Sequence, residues 1–152
     1  MVGNSRLAAA ARVCLSLFVL AAIAAPRPAS ADVRILASPG GTVASFLELF
    51  TRLRASGQRV VIDGPCLSAC TLVLATIPHN RICVTRGAVL GFHGARLVDS
   101  RGYSEPEPEA SRVILASYPP PVRHWIERHG GLTSHVLLLR GRALAAMFRH
   151  CR

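Results

Sequence analysis

The chain has 152 residues, 51% apolar, 5% aromatic and 17% charged, which is room for one ordinary domain and too apolar for wholesale disorder. All 18 basic residues are arginine, so any mechanism that needs a lysine base or a Schiff base is excluded. Against 8 acids they leave a net charge of +10.

Residues 1–31 read as a signal peptide. Arg6 and Arg12 precede an uncharged apolar run from Val13 to Ala25, followed by Pro26, Pro28 and the small triplet Ala29-Ser30-Ala31. The run is too short for the roughly 20 residues of a spanning helix, so the expectation is cleavage before Asp32, with no membrane span afterwards. Cys14 lies at the start of the run, which argues against a lipoprotein. The predicted destination is the periplasm or the exterior, with residues 32–152 as a single domain.

Four cysteines follow the signal: Cys66, Cys70, Cys83 and Cys151. An even count in a small exported domain favours two disulfides, and the three pairings of four cysteines stay open at this point. Zinc is the competing reading, but no C-x-x-C or H-x-x-H pair supports it, so neither a metal nor another cofactor is expected.

Residues 33–37 read as a short strand ended by Ser38-Pro39-Gly40-Gly41. Val43, Phe46, Leu47, Phe50 and Leu53 then form the stripe of an amphipathic helix that stops near Gly57. Residues 59–63 read as a buried strand closed by a Gly64-Pro65 turn, and Ser68–Ile77 as a helix. Strands follow at 82–85 and 88–92, then a polar, solvated loop from Arg96 to Glu109. The remainder reads as helical, interrupted by Pro119-Pro120-Pro121 and Gly130-Gly131, with 122–129 and 143–148 its clearest pieces. Alternating strands and helices predict an α/β fold with a small, mostly parallel sheet and packed helices.

In a parallel sheet the carboxyl ends of the strands share one edge, where turns that follow different strands converge. Ser68 in a first helical turn, His93 after a strand and Gly40-Gly41 after another are therefore candidates for nucleophile, general base and oxyanion region. Each has a plain alternative: a helix N-cap for Ser68, a hydrogen-bonded core histidine for His93, an ordinary turn for the glycines.

The order and spacing of these residues resemble the Clp protease proteolytic subunit and the wider crotonase-like superfamily. In that family a strand ends in Ser-Pro-Gly-Gly, as Ser38-Pro39-Gly40-Gly41 does here. The nucleophilic serine stands between strand and helix, in the place of Ser68 in Gly64-Pro65-Cys66-Leu67-Ser68. The histidine follows a short strand, as His93 does in Gly91-Phe92-His93-Gly94-Ala95. The resemblance covers roughly residues 33–95, and the Cys66-Leu67-Ser68-Ala69-Cys70 and Phe92-His93-Gly94-Ala95 stretches look like a group of exported Clp-protease-like proteins. It implies a shortened ClpP/crotonase-like fold and a serine hydrolase acting on a peptide or other acyl substrate.

The family completes its triad with an aspartate well after the histidine, whereas residues 128–152 contain no carboxylate. Asp99, Glu105, Glu107, Glu109 and Glu127 remain as substitutes. Without an orienting acid up to about 10⁴ in rate is at stake. The second reading is thus a catalytically inactive relative that serves as a binding or assembly module of the cell envelope. Oligomers are compatible with the family, although nothing in the sequence indicates one.

Cys66 and Cys70 flank Ser68 where cytosolic relatives carry small residues. Positions four apart near a helix start lie roughly 6 Å apart at Cα, within bridging range, so a bridge there is geometrically allowed and would clamp the serine turn. Its companion would be Cys83 with Cys151. The arginines are scattered and no nucleic-acid motif accompanies them, so no nucleic-acid partner is expected.

Overall fold

A computed structural model describes residues 31–151, and the signal peptide expected over residues 1–31 lies, but for its last residue, outside the described residues. Strand β1 (Val33–Ile35) leads into helix α1 (Val43–Ser56), which returns the chain to β2 (Val60–Ile62). The Thr42 hydroxyl accepts the Ser45 N–H at the start of α1, and Gly57 ends the helix at φ 78°. Strand β3 (Pro65–Leu67) follows, then a 3₁₀ turn over Ser68–Leu72 that runs directly into the short helix α2 (Val73–Thr76). Strands β4 (Ile82–Val84) and β5 (Val89–Phe92) come next, then the β6–β7 pair (Arg96–Val98, Ser104–Pro106). Helices α3 (Pro108–Ser117) and α4 (Pro120–Arg128), strand β8 (Leu137–Arg140) and helix α5 (Gly141–Ala145) complete the order.

The molecule is mixed α/β, with the strands divided between two three-stranded sheets and one hairpin. The first sheet is β1-β2-β4, all parallel; the second is β3-β5-β8, with β3 and β5 parallel and β8 antiparallel to β5. The same chain segments run through both sheets, since β2 continues into β3 and β4 into β5, while Ser38, beyond β1, bridges to Cys66. Glycines mark the bend between sheets. A Cβ on Gly64 would stand 1.9 Å from the Leu36 carbonyl oxygen, so only glycine lets the first segment cross there. The expected single parallel sheet is therefore broken in two, because each segment turns at the crossing.

Every residue of β2 and β4 is buried, as a strand covered on both faces requires. Phe50 of α1, Val73 and Leu74 of α2, and Val122 and Ile126 of α4 close the core over Ile62, Leu90 and Phe92. Asp63, just past β2, holds Arg34 through a 2.7 Å ion pair, and the Thr85 hydroxyl and then Arg34 keep its carboxyl below the ordinary range. Arg149 to Cys151 run beside β4, with Val84 N–H donating to Arg149 O and Cys151 N–H to Val84 O, each at 3.0 Å.

Four local expectations need correction. The Gly64-Pro65 turn is the entry to β3, where proline is tolerated as the first strand residue. The solvated loop at 96–109 contains the β6–β7 hairpin, tied by Arg96 to Ser104 through both the hydroxyl and the carbonyl. The supposed helix around Leu137 is β8, drawn into the sheet by pairing with β5. The proline triplet starts a helix instead of interrupting one, since Pro120 and Pro121 occupy the first turn of α4, where the missing N–H costs nothing.

Candidate active site

Ser68 follows β3 at the carboxyl edge of the second sheet, and His93 follows the neighbouring strand β5. Leu67 is in parallel register with Gly91, so Ser68 leaves the sheet level with Phe92 and His93 one residue farther along the neighbouring strand. Ser68 has φ 55° and is the only non-glycine residue with positive φ among the described residues. Left-handed backbone at a serine costs roughly 1–3 kcal/mol and persists only where the surroundings impose it. Leu67, not Ser68, is the N-cap of the following turn, and no side-chain bond caps it, so the N-cap alternative for Ser68 fails.

Several contacts hold this turn. Cys66 and Cys70 are disulfide-bonded with their Cα atoms 5.3 Å apart, which closes a loop around Ser68. Leu67 N–H donates to the Ser38 carbonyl over 2.9 Å, and Ser38 N–H to the Pro65 carbonyl over 2.7 Å, so the Ser38-Pro39-Gly40-Gly41 segment runs alongside the serine strand. Gly40, at φ 95°, lies against Ser68: a Cβ there would be 2.8 Å from Leu67 O and 3.1 Å from Ser68 Oγ. Its N–H points to Ser38 Oγ at 3.3 Å. Gly41 beside it is exposed, and a Cβ there would press on the Phe46 ring.

Thr71 Oγ1 donates to the Ser68 carbonyl over 2.6 Å and is 2.6 Å from the hydroxyl of buried Tyr118. Tyr118 in turn meets Phe92 edge to face, 5.3 Å between centroids, immediately before His93. Sequence reading singled out neither Thr71 nor Tyr118, and no local pattern couples residues 47 apart.

His93 is half-buried, with Nδ1 2.7 Å from the Gly94 carbonyl oxygen. A carbonyl only accepts, so Nδ1 carries the proton and Nε2 of the neutral ring is the acceptor. The loop is fixed on both sides, since Gly94 N–H donates to Thr133 O (2.6 Å) and Ala95 N–H to Ser111 Oγ (2.8 Å). Among the described residues no carboxylate forms an ion pair or hydrogen bond with His93, and none joins its ring to Ser68 Oγ. Two of the substitute acids are committed elsewhere. Asp99 accepts the Tyr103 and Arg101 N–H groups of the hairpin turn, each at 2.9 Å, and the Tyr103 bond above all lowers its pKa, while Glu109 pairs with Arg112.

The structure thus brings Gly40 against Ser68 and sets His93 on the adjacent strand end. The other two cysteines among the described residues, Cys83 and Cys151, form the second disulfide, with Cα atoms 5.0 Å apart. A cavity of about 310 Å³ opens behind the His93 loop, walled by Gly94, Ala95, Leu115 and Leu132, with neither Ser68 nor His93 in its wall. No protein-family model matches the chain, and no curated protein matches it significantly.

Proposed function

We propose that this chain is an exported serine hydrolase of the shortened Clp-protease/crotonase-like kind, acting on a peptide or other acyl bond. The observation that carries the reading is the backbone of Ser68, φ 55° at a strand-to-helix turn with Gly40 packed against its side chain. A serine held this way at a sheet edge presents its hydroxyl to an incoming carbonyl.

In this scheme Ser68 Oγ attacks the acyl carbon while His93 Nε2 takes its proton. The oxyanion forms against the Gly40-Gly41 segment with the Gly41 N–H as donor, since the Gly40 N–H is directed at Ser38 Oγ, and the imidazolium then protonates the leaving group. Water hydrolyses the acyl-serine with His93 again as base, which regenerates the hydroxyl. The Gly94 carbonyl takes the place of the triad carboxylate: it fixes the tautomer and orients the ring. Being neutral, it stabilises the imidazolium less than an aspartate does, so turnover is slow compared with a full triad. The two disulfides fit an oxidising compartment, periplasm or exterior, and no helix among the described residues is long and apolar enough to cross a membrane.

A second reading, a binding or assembly module without catalysis, draws on one specific observation: no carboxylate reaches His93 among the described residues. Fluorophosphonate labelling of the oxidised protein separates the two. Labelling that disappears in Ser68→Ala and His93→Ala variants supports the hydrolase. A folded, doubly bridged protein that takes no label leaves the binding module as the working model.

A further inference from the structure

Thr71 is the one polar side chain sealed in the core among the described residues, 1% exposed, and its partner Tyr118 is 4% exposed. Valine and phenylalanine have nearly the same shapes, and replacing both members of a buried hydrogen-bonded pair by apolar equivalents is close to neutral for stability. Packing therefore does not require these hydroxyls.

Their direction is distinctive. Thr71 spends its single proton on the Ser68 carbonyl, so the Tyr118 hydroxyl is the donor to Thr71 Oγ1. Burial pushes the Tyr118 phenol up to about 12, which keeps that donor protonated over the whole physiological range. A threonine bonding back to the carbonyl three residues earlier is common in helical turns by itself. The distant phenol is what fixes the rotor, and the relay terminates on the one non-glycine residue with left-handed backbone among the described residues. Because a peptide unit is planar, anchoring the Ser68 carbonyl fixes the whole plane between Ser68 and Ala69.

We infer that the Tyr118–Thr71 hydroxyl relay is the device that holds Ser68 in its left-handed conformation, which makes Thr71 and Tyr118 positioning residues for its hydroxyl. The catalytic consequence rests on the hydrolase reading above; the conformational one does not. Phe92, which meets the Tyr118 ring edge to face, immediately precedes His93, so the same tyrosine braces both strand ends.

The test compares the oxidised wild-type protein with the Thr71→Val/Tyr118→Phe double variant, Tyr118→Phe alone and Thr71→Ser. Three quantities are read: the unfolding midpoint, the Ser68 backbone signature by NMR (HN–Hα coupling with Cα and Cβ shifts), and the fluorophosphonate labelling rate. The double variant is expected to unfold near the wild-type midpoint, to lose the left-handed Ser68 signature, and to label roughly tenfold to a hundredfold more slowly. Thr71→Ser, which keeps the hydroxyl, restores signature and rate. A double variant that keeps the wild-type Ser68 signature overturns the inference, whatever its midpoint. If that variant does not fold, Tyr118→Phe decides, and an unchanged Ser68 signature there overturns it equally. If wild type takes no label, the hydrolase reading fails while the NMR signature still judges the relay.

Discussion

Gly40 lies so close to Ser68 that a methyl group on Gly40 would stand 2.5 Å from Ser68 Cβ. The same glycine has φ 95°, so alanine there meets both a collision and an unfavourable backbone. Gly40→Ala is expected to cost roughly 3 kcal/mol or more, the strain and overpacking contributions together. Gly57→Ala isolates the backbone contribution, since φ is 78° and nothing lies within 4 Å of its added Cβ, and is expected to cost about 1 kcal/mol. Denaturant unfolding of the two variants checks the difference; equal losses would mean that Ser68 yields freely.

The His93 to Gly94 contact fixes a proton. With Nδ1 donating to a carbonyl, the neutral ring is expected as the Nδ1–H tautomer, with Nε2 unprotonated. Nitrogen-15 shifts of the imidazole read this directly. A dominant Nε2–H form would remove the general-base role assigned to His93.

The two disulfides close loops of very different length. Sequence separations of 4 and 68 predict, on the chain-entropy account, that removing the Cys66–Cys70 bond costs roughly 2 kcal/mol and removing the Cys83–Cys151 bond roughly 4 kcal/mol. Paired Cys→Ala variants measured by denaturant unfolding give both values. Fluorophosphonate labelling is expected to show the opposite order, with the larger loss on removal of Cys66–Cys70, because that bond encloses Ser68.

Arg81 fastens the end of α1. Its guanidinium donates to Leu53 O at 2.8 Å and Arg54 O at 2.9 Å in the last turn of the helix, and to Gln58 O just beyond it. Arg81→Ala is expected to cost roughly 1.5–3 kcal/mol, the range for hydrogen bonds to a charged group. Arg81→Lys recovers only part of it, since an ammonium cannot span the three acceptors as a planar fork does. Thermal or denaturant unfolding of both variants decides; full recovery by lysine would show that charge alone matters.

Tyr118 sets an alkaline limit. Its pKa rises from 10.0 to about 12 on folding because burial penalises the phenolate. The unfolded chain therefore releases the phenolic proton first. The Tyr118 contribution to stability is flat well below pH 10 and falls as pH rises toward 12, by roughly 2–3 kcal/mol in all for a shift of this size. Tyr118→Phe is expected to flatten this alkaline slope in unfolding measurements between pH 9 and 12. A slope that survives the substitution belongs to another group.

Residues 33–62 were legible because their signals are local: a strand, the stripe Val43-Phe46-Leu47-Phe50-Leu53, a glycine stop and a buried strand follow one another without competition. The β4 and β5 strands were legible for the same reason. The convergence of Gly40 on Ser68 followed from chain order in a parallel sheet. What escaped depended on partners far away. Pro65-Cys66-Leu67 is too short to read as a strand, and becomes one only because Ser38 and Val89–Gly91 flank it. Leu137-Leu138-Leu139 has the composition of a helix and becomes β8 by pairing with β5. The role of the Gly94 carbonyl could not be seen from residue types, since every residue carries a carbonyl and only conformation aims this one at His93.

The chain's final described residues cover the outer backbone of β4. Ile82, Cys83 and Val84 form an apolar, buried strand, and without Arg149 to Cys151 beside it the strand would offer open N–H and C=O groups to any passing chain. The Cys83–Cys151 bond makes that cover covalent. In a reducing compartment only noncovalent contacts would hold it, the two backbone bonds and Arg149 on the Asn80 carbonyl, and its fraying would expose a template for aggregation. An oxidising environment would thus guard this edge against aggregation as well as stabilise the fold.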